Sequence, residues 1–201
     1  MKKGKHADVY AASEREHMYA LQRWKDKALL PLLTLFMKIG LTPNMLSYSN
    51  IFLGVLFVGF IQTSPSISLY LLIIAVAFDL LDGSLARVAG QTTLSGSLVD
   101  HFSDLLVIWL TTTGFLLIGL VSGWAAIAYV FAYTTLTALI IVRNMMGIPY
   151  KWALRPRLFV YLGFFIYVFW GINWLHQAIA LFSIVMLIQV SSGFLVVKRE
   201  V

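Results

Sequence analysis

The sequence predicts an all-α membrane protein with six transmembrane helices and an N-terminal amphipathic helix at the membrane interface. Hydrophobic residues make up 60% of the 201 residues, well above their usual share in a soluble domain. Six apolar stretches have about the length needed to cross roughly 30 Å of hydrocarbon. The basic residues fall on alternate connections between these stretches, as positively charged cytoplasmic loops do.

The predicted spans follow one another after residue 44. They are residues 45–63, 68–88, 94–120, 124–142, 158–172 and 174–196. Only the short turn at Gly171-Ile172-Asn173 separates the last two spans. We therefore divide the chain into an N-terminal interfacial segment, residues 1–40, and a six-helix transmembrane domain, residues 41–201.

The segment before the first span has an uneven distribution of charge. Between about Ala11 and Ile39 the charged residues come first and the apolar residues later, which predicts a helix lying along the membrane surface. Pro31 marks a bend or a second helix start. A plain tether without any chemistry is the alternative. Polar residues follow the basic start at Met1, so we expect no cleaved signal.

The positive charges give an orientation. Eight of the 15 lysines and arginines precede the first span, and three of the five connections between spans contain none. This asymmetry predicts that both termini and the candidate site face the cytoplasm. The membrane is expected to be the plasma membrane. The net charge of +6 would favour anionic lipid and phosphorylated substrates. No interleaving of aromatic and basic residues indicates a nucleic-acid partner, and without cysteine there is no disulfide.

Four aspartates lie inside the apolar stretches, where a carboxylate is costly unless it is paired or binds a cation. Asp79 and Asp82 are three residues apart, and Asp100 and Asp104 are four apart, so each pair shares one face of its helix. Arg87 is the one cation nearby in sequence. Hard divalent cations such as Mg²⁺ or Mn²⁺ neutralise clustered carboxylates. The pattern therefore predicts a metal site in the cytoplasmic leaflet.

Small residues accompany the aspartates. Gly83 and Ala86 leave one helix face bare, and Gly96 does the same on the next helix, so a helix backbone or a flat substrate can approach. Arg87 offers a planar cation suited to a phosphate or diphosphate. His101 points about 100° away from its neighbour Asp100 and is the weaker ligand candidate. Simple helix packing is the alternative role for the small residues.

The segment from Asp79 to Asp104 matches the pattern D-x-x-D-G-x-x-A-R-x₈-G-x-x-x-D-x-x-x-D. In this it resembles the CDP-alcohol phosphotransferase family, and Thr42-Pro43-Asn44-Met45 resembles that family's entry to its first span. The resemblance implies a homodimeric membrane enzyme of phospholipid synthesis. Such an enzyme displaces CMP from a CDP-linked lipid, such as CDP-diacylglycerol, with the hydroxyl of a small acceptor alcohol.

The resemblance also implies roles for the matching residues. Asp79 and Asp100 would bridge two divalent cations, Mg²⁺ or Mn²⁺, with Asp82 on the first ion and Asp104 on the second. Asp104 would also be the general base. By similarity to the phosphatidylinositol-phosphate and phosphatidylglycerophosphate synthase branch, the CDP portion would be held by Thr42, Pro43, Asn44, Met45, Gly83, Ala86, Arg87, Thr93 and Gly96.

The acceptor is suggested by the loop between the fourth and fifth spans. Its candidate residues are Arg143, Lys151, Arg155 and Arg157. The Arg155-Pro156-Arg157 stretch resembles an inositol-phosphate-binding segment of phosphatidylinositol-phosphate synthases, with one residue fewer and no preceding Glu. A phosphorylated polyol, inositol phosphate or glycerol phosphate, is the favoured acceptor. The alternative acceptors are serine, an amino alcohol, or diacylglycerol with a CDP-amino alcohol as donor. The alternative role of the basic residues is to anchor the loop on the cytoplasmic side by their positive charge alone.

Two other classes of protein stay open at this point. A divalent-cation or proton-coupled transporter also carries intramembrane carboxylates. It would not need Gly83, Ala86 and Arg87 at fixed offsets from them. A catalytically silent scaffold is the third possibility, and release of CMP by purified protein would separate the enzyme from both.

Overall fold

The structure, a computed structural model, describes residues 15–200. These residues form seven α-helices and no strand, so the predicted all-α class is confirmed for them. The helices are α1 (Arg15–Lys38), α2 (Pro43–Ile61), α3 (Pro65–Val88), α4 (Leu94–Leu117), α5 (Gly123–Met146), α6 (Arg157–Trp170) and α7 (Leu175–Glu200). The basic N terminus and the predicted helix start at residues 11–14 lie outside the described residues. Pro31 lies inside α1, which continues past it.

Four of the helices, α2, α3, α5 and α7, are long and apolar enough to cross a membrane. The chain is therefore an integral membrane protein. The helix α4 is not among the four, because Asp100, His101 and Asp104 make it less apolar. The helix α6 has 14 residues and spans about 21 Å, less than the roughly 30 Å of hydrocarbon.

Local side-chain hydrogen bonds set where the helices begin. A serine or threonine hydroxyl accepts a hydrogen bond from a backbone N–H of the first turn in four helices. These caps are Thr42 for α2, Ser64 for α3, Thr93 for α4 and Ser122 for α5. At the predicted turn, Gly171 (φ 69°) ends α6 in the left-handed region and Asn173 accepts from the N–H of Leu175 at 3.2 Å, where α7 begins.

The helices fall into two compact units. One comprises Met18–Gly119 with Val168–Trp170, and in it α2 packs against both α3 and α4. The other contains Leu120–Tyr167 and the chain from Gly171 onward, and in it α5 packs against α7. The division into residues 1–40 and 41–201 stays a prediction. All four aspartates of the motif belong to the first unit.

One face of α2 forms a buried seam whose residues repeat at intervals of three and four. The seam consists of Ser47, Asn50, Gly54, Phe57 and Ile61. A Cβ at Gly54 would lie 2.8 Å from Leu110 Cδ1, and one at Gly114 would lie 2.6 Å from Phe57 Cε1. Phe57 also meets Phe115 edge to face, with ring centroids 5.8 Å apart. Small residues thus bring α2 and α4 into close contact.

This close approach predicts the effect of one added methyl group. Gly114→Ala should destabilise the protein by about 1–3 kcal/mol, because the new Cβ overlaps the Phe57 ring. The measurement is the thermal midpoint of the purified protein in detergent. Gly59→Ala is the matched control, since no atom lies within 4 Å of its Cβ position and alanine favours a helix. Equal midpoints for the two variants would contradict the packing assigned to the seam.

Candidate metal centre

Three of the four aspartates converge. Asp79 and Asp82 on α3 and Asp100 on α4 each offer a carboxylate oxygen, and these oxygens lie within 4.8 Å of one another. Asp82 is buried and the other two are half-buried. Oxygens bound to one ion at about 2.0–2.6 Å are at most about 5 Å apart, so the three carboxylates fit a hard divalent cation. Asp104 lies one turn further along α4, half-buried, and is not a member of this group.

The seam of α2 fixes the buried carboxylate. Ser47 Oγ donates a hydrogen bond to Asp82 Oδ2 at 2.9 Å, and the backbone N–H of Gly83 donates to Oδ1 at 2.5 Å. On the other side, Ser103 Oγ of α4 donates to the carbonyl oxygen of Ser47 at 2.6 Å. One turn of α2 therefore connects the two helices that carry the aspartates.

Asn50, one turn after Ser47, is also buried. With its amide oriented to satisfy both ends, Nδ2 donates to Ala75 O at 3.0 Å and Oδ1 accepts from Asp79 N at 3.3 Å. Ala75 and Asp79 are four residues apart, so the amide supports α3 at the turn that carries Asp79. Ser47 and Asn50 were not among the site residues predicted from the sequence. The sequence signal that could have identified them is that both are polar residues, three positions apart, on the buried face of an otherwise apolar helix.

The turn between α3 and α4 accounts for the spacing of the motif. Gly90 adopts φ 67°, and the N–H of Gln91 donates to Ala86 O at 2.8 Å, which closes α3 as a left-handed cap. Thr93 then begins α4. The eight residues between Arg87 and Gly96 are thus the end of one helix, a tight turn and the start of the next. This brings the two aspartate pairs onto neighbouring helices.

The segment Thr42-Pro43-Asn44-Met45 begins α2. Thr42 Oγ1 accepts from the N–H of Met45 at 3.3 Å, and Pro43 occupies the first helical turn. The Met45 side chain is exposed. Two of the four residues that the family resemblance predicts to hold the CDP portion, Thr42 and Pro43, therefore fix the first turn of α2.

Residues from two distant parts of the sequence meet at the start of α4. Thr93 Oγ1 accepts from the N–H of Gly96 at 3.0 Å. A Cβ at Gly96 would lie 3.1 Å from that oxygen and 3.7 Å from Asn44 Oδ1. The absence of a side chain at Gly96 thus keeps the hydroxyl of Thr93 and the amide of Asn44 close together. Three of the predicted CDP-binding residues belong to one small cluster.

Arg87 has a partner that the sequence analysis did not identify. Its Nε donates to Asp26 Oδ2 at 2.7 Å and its Nη2 to Asp26 Oδ1 at 2.8 Å, with Ser84 Oγ also 3.2 Å from Nη2. The hydrogen bond from Arg87 lowers the pKa of the Asp26 carboxyl. Asp26 lies on α1, 61 residues away, so no local sequence pattern predicts the pair.

The loop after α5 is built around Arg143. This side chain is buried; its Nε donates to Ile148 O at 2.9 Å, and its guanidinium carbon lies 4.0 Å from the centroid of the Tyr150 ring. Tyr150 donates in turn to Gln189 O on α7 at 2.9 Å, and Gln189 Oε1 accepts from Leu154 N at 3.0 Å. Burial raises the pKa of the Tyr150 hydroxyl. Arg143 therefore holds this loop in place.

The other three candidate acceptor residues follow on the same stretch of chain. Lys151 is exposed, Arg155 is partly exposed, and Arg157 is partly exposed at the first position of α6. Their accessibility separates them from Arg143, which its own loop encloses. Acceptor binding by any of the four stays a prediction.

Comparison with known families identifies the reaction class. A model of the family described as CDP-alcohol phosphatidyltransferase matches residues 40–194, more than half of the chain. The chain belongs to the CDP-alcohol phosphatidyltransferase family. It is thus a phosphotransferase of phospholipid synthesis that acts on a CDP-alcohol, an acceptor alcohol and membrane lipid. No curated protein gives a significant sequence match to it.

The carboxylate cluster of this phosphatidyltransferase predicts a metal-dependent stability. Mg²⁺ or Mn²⁺ should raise the thermal midpoint of the wild-type protein, because a ligand that binds the native state stabilises it by mass action. Asp79→Ala or Asp100→Ala should abolish that shift, since each removes one of the converging oxygens. Glu200→Gln, at the exposed end of α7, is the control and should keep it. A full shift in both alanine variants would place the ion elsewhere.

Proposed function

We propose that this phosphatidyltransferase moves a phosphatidyl group from a CDP-linked lipid, such as CDP-diacylglycerol, to a hydroxyl of a phosphorylated polyol. Inositol phosphate and glycerol phosphate are the favoured acceptors, and CMP is released. The convergence of Asp79, Asp82 and Asp100 within 4.8 Å carries the proposal, because these carboxylates lie on the two helices of the motif. Family membership supports the reaction class. The choice of acceptor is supported by the basic residues alone.

The four aspartates are proposed to bind divalent cations next to the reacting phosphorus, each in a different role. Asp79 and Asp100 are proposed to hold two divalent cations jointly, with Asp82 completing one site and Asp104 the other. When bound, Mg²⁺ or Mn²⁺ ions supply positive charge that neutralises the phosphate oxygens in the transition state. Ser47 and Asn50 keep α3 and its aspartates in place throughout.

Asp104 is proposed to act on the acceptor. Its carboxylate takes the proton from the acceptor hydroxyl, as a general base does. The acceptor oxygen forms a bond to the phosphorus that carries the lipid, and the bond from that phosphorus to the CMP oxygen breaks. CMP leaves with the bonding electron pair.

The donor diphosphate is proposed to lie against the ends of α2, α3 and α4. Arg87 offers a guanidinium there, and the first turns of α2 and α4 point backbone N–H groups in a direction that favours anions. Gly83, Ala86 and Gly96 leave room for the nucleotide. The cluster of Asn44, Thr93 and Gly96 supports this placement.

The membrane arrangement follows from the charges. Six crossings, with α4 and α6 added to the four long apolar helices, would place both termini and the site in the cytoplasm. A plasma-membrane location and a homodimer complete the proposal. In such an orientation the lipid substrate keeps its acyl chains in the bilayer while CMP leaves to water.

Release of CMP tests the proposed function. Purified protein would receive CDP-diacylglycerol, Mg²⁺ or Mn²⁺, and one acceptor at a time: inositol phosphate, glycerol phosphate, serine or an amino alcohol. We expect acceptor-dependent CMP with a phosphorylated polyol. Release with only serine or an amino alcohol would support a neutral acceptor. If no acceptor produces CMP from any CDP-linked donor, the proposal is contradicted, and a cation or proton transporter has to be considered again.

The same assay tests the base. Asp104→Asn should lower turnover by at least about 100-fold, because it removes the proton acceptor and one proposed metal contact. Glu200→Gln is the control for loss of one carboxylate and should match the wild type. Near-normal turnover of Asp104→Asn at saturating metal would remove Asp104 from the mechanism.

The acceptor proposal predicts a change in one Michaelis constant only. Arg155→Ala or Arg157→Ala should raise the acceptor KM by about 10-fold, since a charge-assisted hydrogen bond contributes about 1.5–3 kcal/mol. The donor KM should stay the same, and lysine should rescue only in part if the contact is bidentate. Arg199→Ala, at the exposed end of α7, is the matched control. An unchanged acceptor KM in both variants would favour a neutral acceptor and leave the arginines as topology anchors.

A further inference from the structure

Two adjacent charged residues of α1 reach the helix that carries the first half of the motif. Lys25 Nζ donates to Leu80 O at 2.8 Å, and Asp26 accepts two hydrogen bonds from Arg87 at 2.7 and 2.8 Å. Leu80 and Arg87 are two turns apart on α3 and lie on either side of Asp82. The helix α1 is therefore attached to α3 at both ends of the segment from Leu80 to Arg87, which contains Asp82.

An apolar cluster continues this contact along α1. Leu33 of α1, Leu46 of α2 and Leu85 of α3 are buried together at its centre. Leu29, Phe36 and Met37 of α1 pack around them. Because these residues follow Lys25 and Asp26 at helical spacing, one face of α1 makes both the polar and the apolar contacts. The helix is packed against the protein and is more than a tether on the membrane surface.

The guanidinium of Arg87 has five N–H donors in a fixed planar arrangement. Asp26 takes Nε and one N–H of Nη2, and Ser84 Oγ lies 3.2 Å from Nη2. Among the described residues Nη1 has no hydrogen-bond partner. It lies 3.4 Å from the position that a Cβ of Gly83 would occupy. The occupied edge thus faces α1, and the open edge lies beside the bare surface of Gly83.

We infer that Asp26 is a positioning residue for the donor: it holds Arg87 so that Nη1 is presented to the diphosphate of the CDP-linked substrate. This rests on the proposed function. The side chain of an unheld arginine has many rotamers to lose on binding, whereas a guanidinium already fixed by a carboxylate has few. The helix α1 then forms part of the nucleotide site.

The pair is present throughout the working range of pH. The pKa of Asp26 is lowered from its ordinary value of 3.8, mainly by the hydrogen bond from Arg87. A group with a lowered folded-state pKa is charged, and contributes its stabilisation, above its ordinary value. The contribution is lost only as the pH falls below that value. Asp26 is therefore a permanent support for Arg87 and is not a pH switch.

Donor kinetics of the full-length purified protein test the inference. Asp26→Asn should raise the KM for CDP-diacylglycerol by about 10-fold, with kcat within about twofold and the acceptor KM unchanged. Asp26→Glu keeps a carboxylate and should recover part of the donor affinity. Lys27→Gln changes one charge at an exposed neighbouring position of α1 and is the control. A lower donor KM in Asp26→Asn would show that the carboxylate competes with the phosphate, which overturns the inference.

A double-mutant cycle separates positioning from a merely structural role. Arg87→Ala should itself raise the donor KM, and adding Asp26→Asn to it should change that KM by less than twofold if Asp26 acts through Arg87. If Asp26 only docks α1, its effect on the donor KM should be the same in both backgrounds, and the inference would be wrong. If the Asp26→Asn protein is too unstable to assay, the effect of Asp26→Glu on the donor KM is compared in the wild-type and Arg87→Ala proteins instead, with the same two outcomes.

The outcome is distinguishable from a failure of the proposed function. If the wild-type protein releases no CMP from any CDP-linked donor, the proposed function itself is wrong. If it does release CMP and Asp26→Asn has wild-type donor kinetics, only the role of Asp26 is rejected.

Discussion

Three carboxylates of one helical unit lie within 4.8 Å of one another, inside a protein that is mostly apolar. Like charges at this separation repel strongly where the dielectric constant is low, so the arrangement persists only if other groups hold it. The seam of α2 does this on one side, because Ser47 fixes Asp82 and Asn50 supports the turn that bears Asp79. On the other side of α2, close packing at Gly54 and Gly114 brings α4 near enough for Ser103 to donate to the carbonyl oxygen of Ser47.

The parts of this site that could be predicted are local ones. Helical periodicity alone places Asp79 with Asp82 and Asp100 with Asp104 on shared faces. Ser47 and Ser49 show why their surroundings could not be predicted. Both are serines in the first two turns of α2, and each has a carbonyl oxygen of its own helix within reach, Pro43 O at 3.3 Å from Ser47 Oγ and Met45 O at 2.8 Å from Ser49 Oγ. Yet Ser47 Oγ also reaches the carboxylate of Asp82, at 2.9 Å. Only the direction of each residue around the helix, set by tertiary packing, decides between the two.

The all-α class was predictable because 60% hydrophobic residues in long stretches leave few alternatives. The number of crossings was harder to predict, since Asp100 and Asp104 reduce the apolar character of α4. The attachment of α1 to α3 was not predictable either. Asp26 and Arg87 are 61 residues apart, and surface pairing of Asp26 with a neighbouring lysine fits the sequence equally well.

The motif residues and the loop after α5 belong to different compact units. The aspartates, Arg87 and their hydrogen-bond partners Ser47 and Asp26 all lie in Met18–Gly119. In the other unit, Arg143 and Gln189 hold the loop after α5 through its backbone, at Ile148 and Leu154. A loop fixed by its backbone tolerates substitutions at its accessible positions. The conformation of the loop therefore depends chiefly on Arg143 and Gln189, whose side chains bond its backbone.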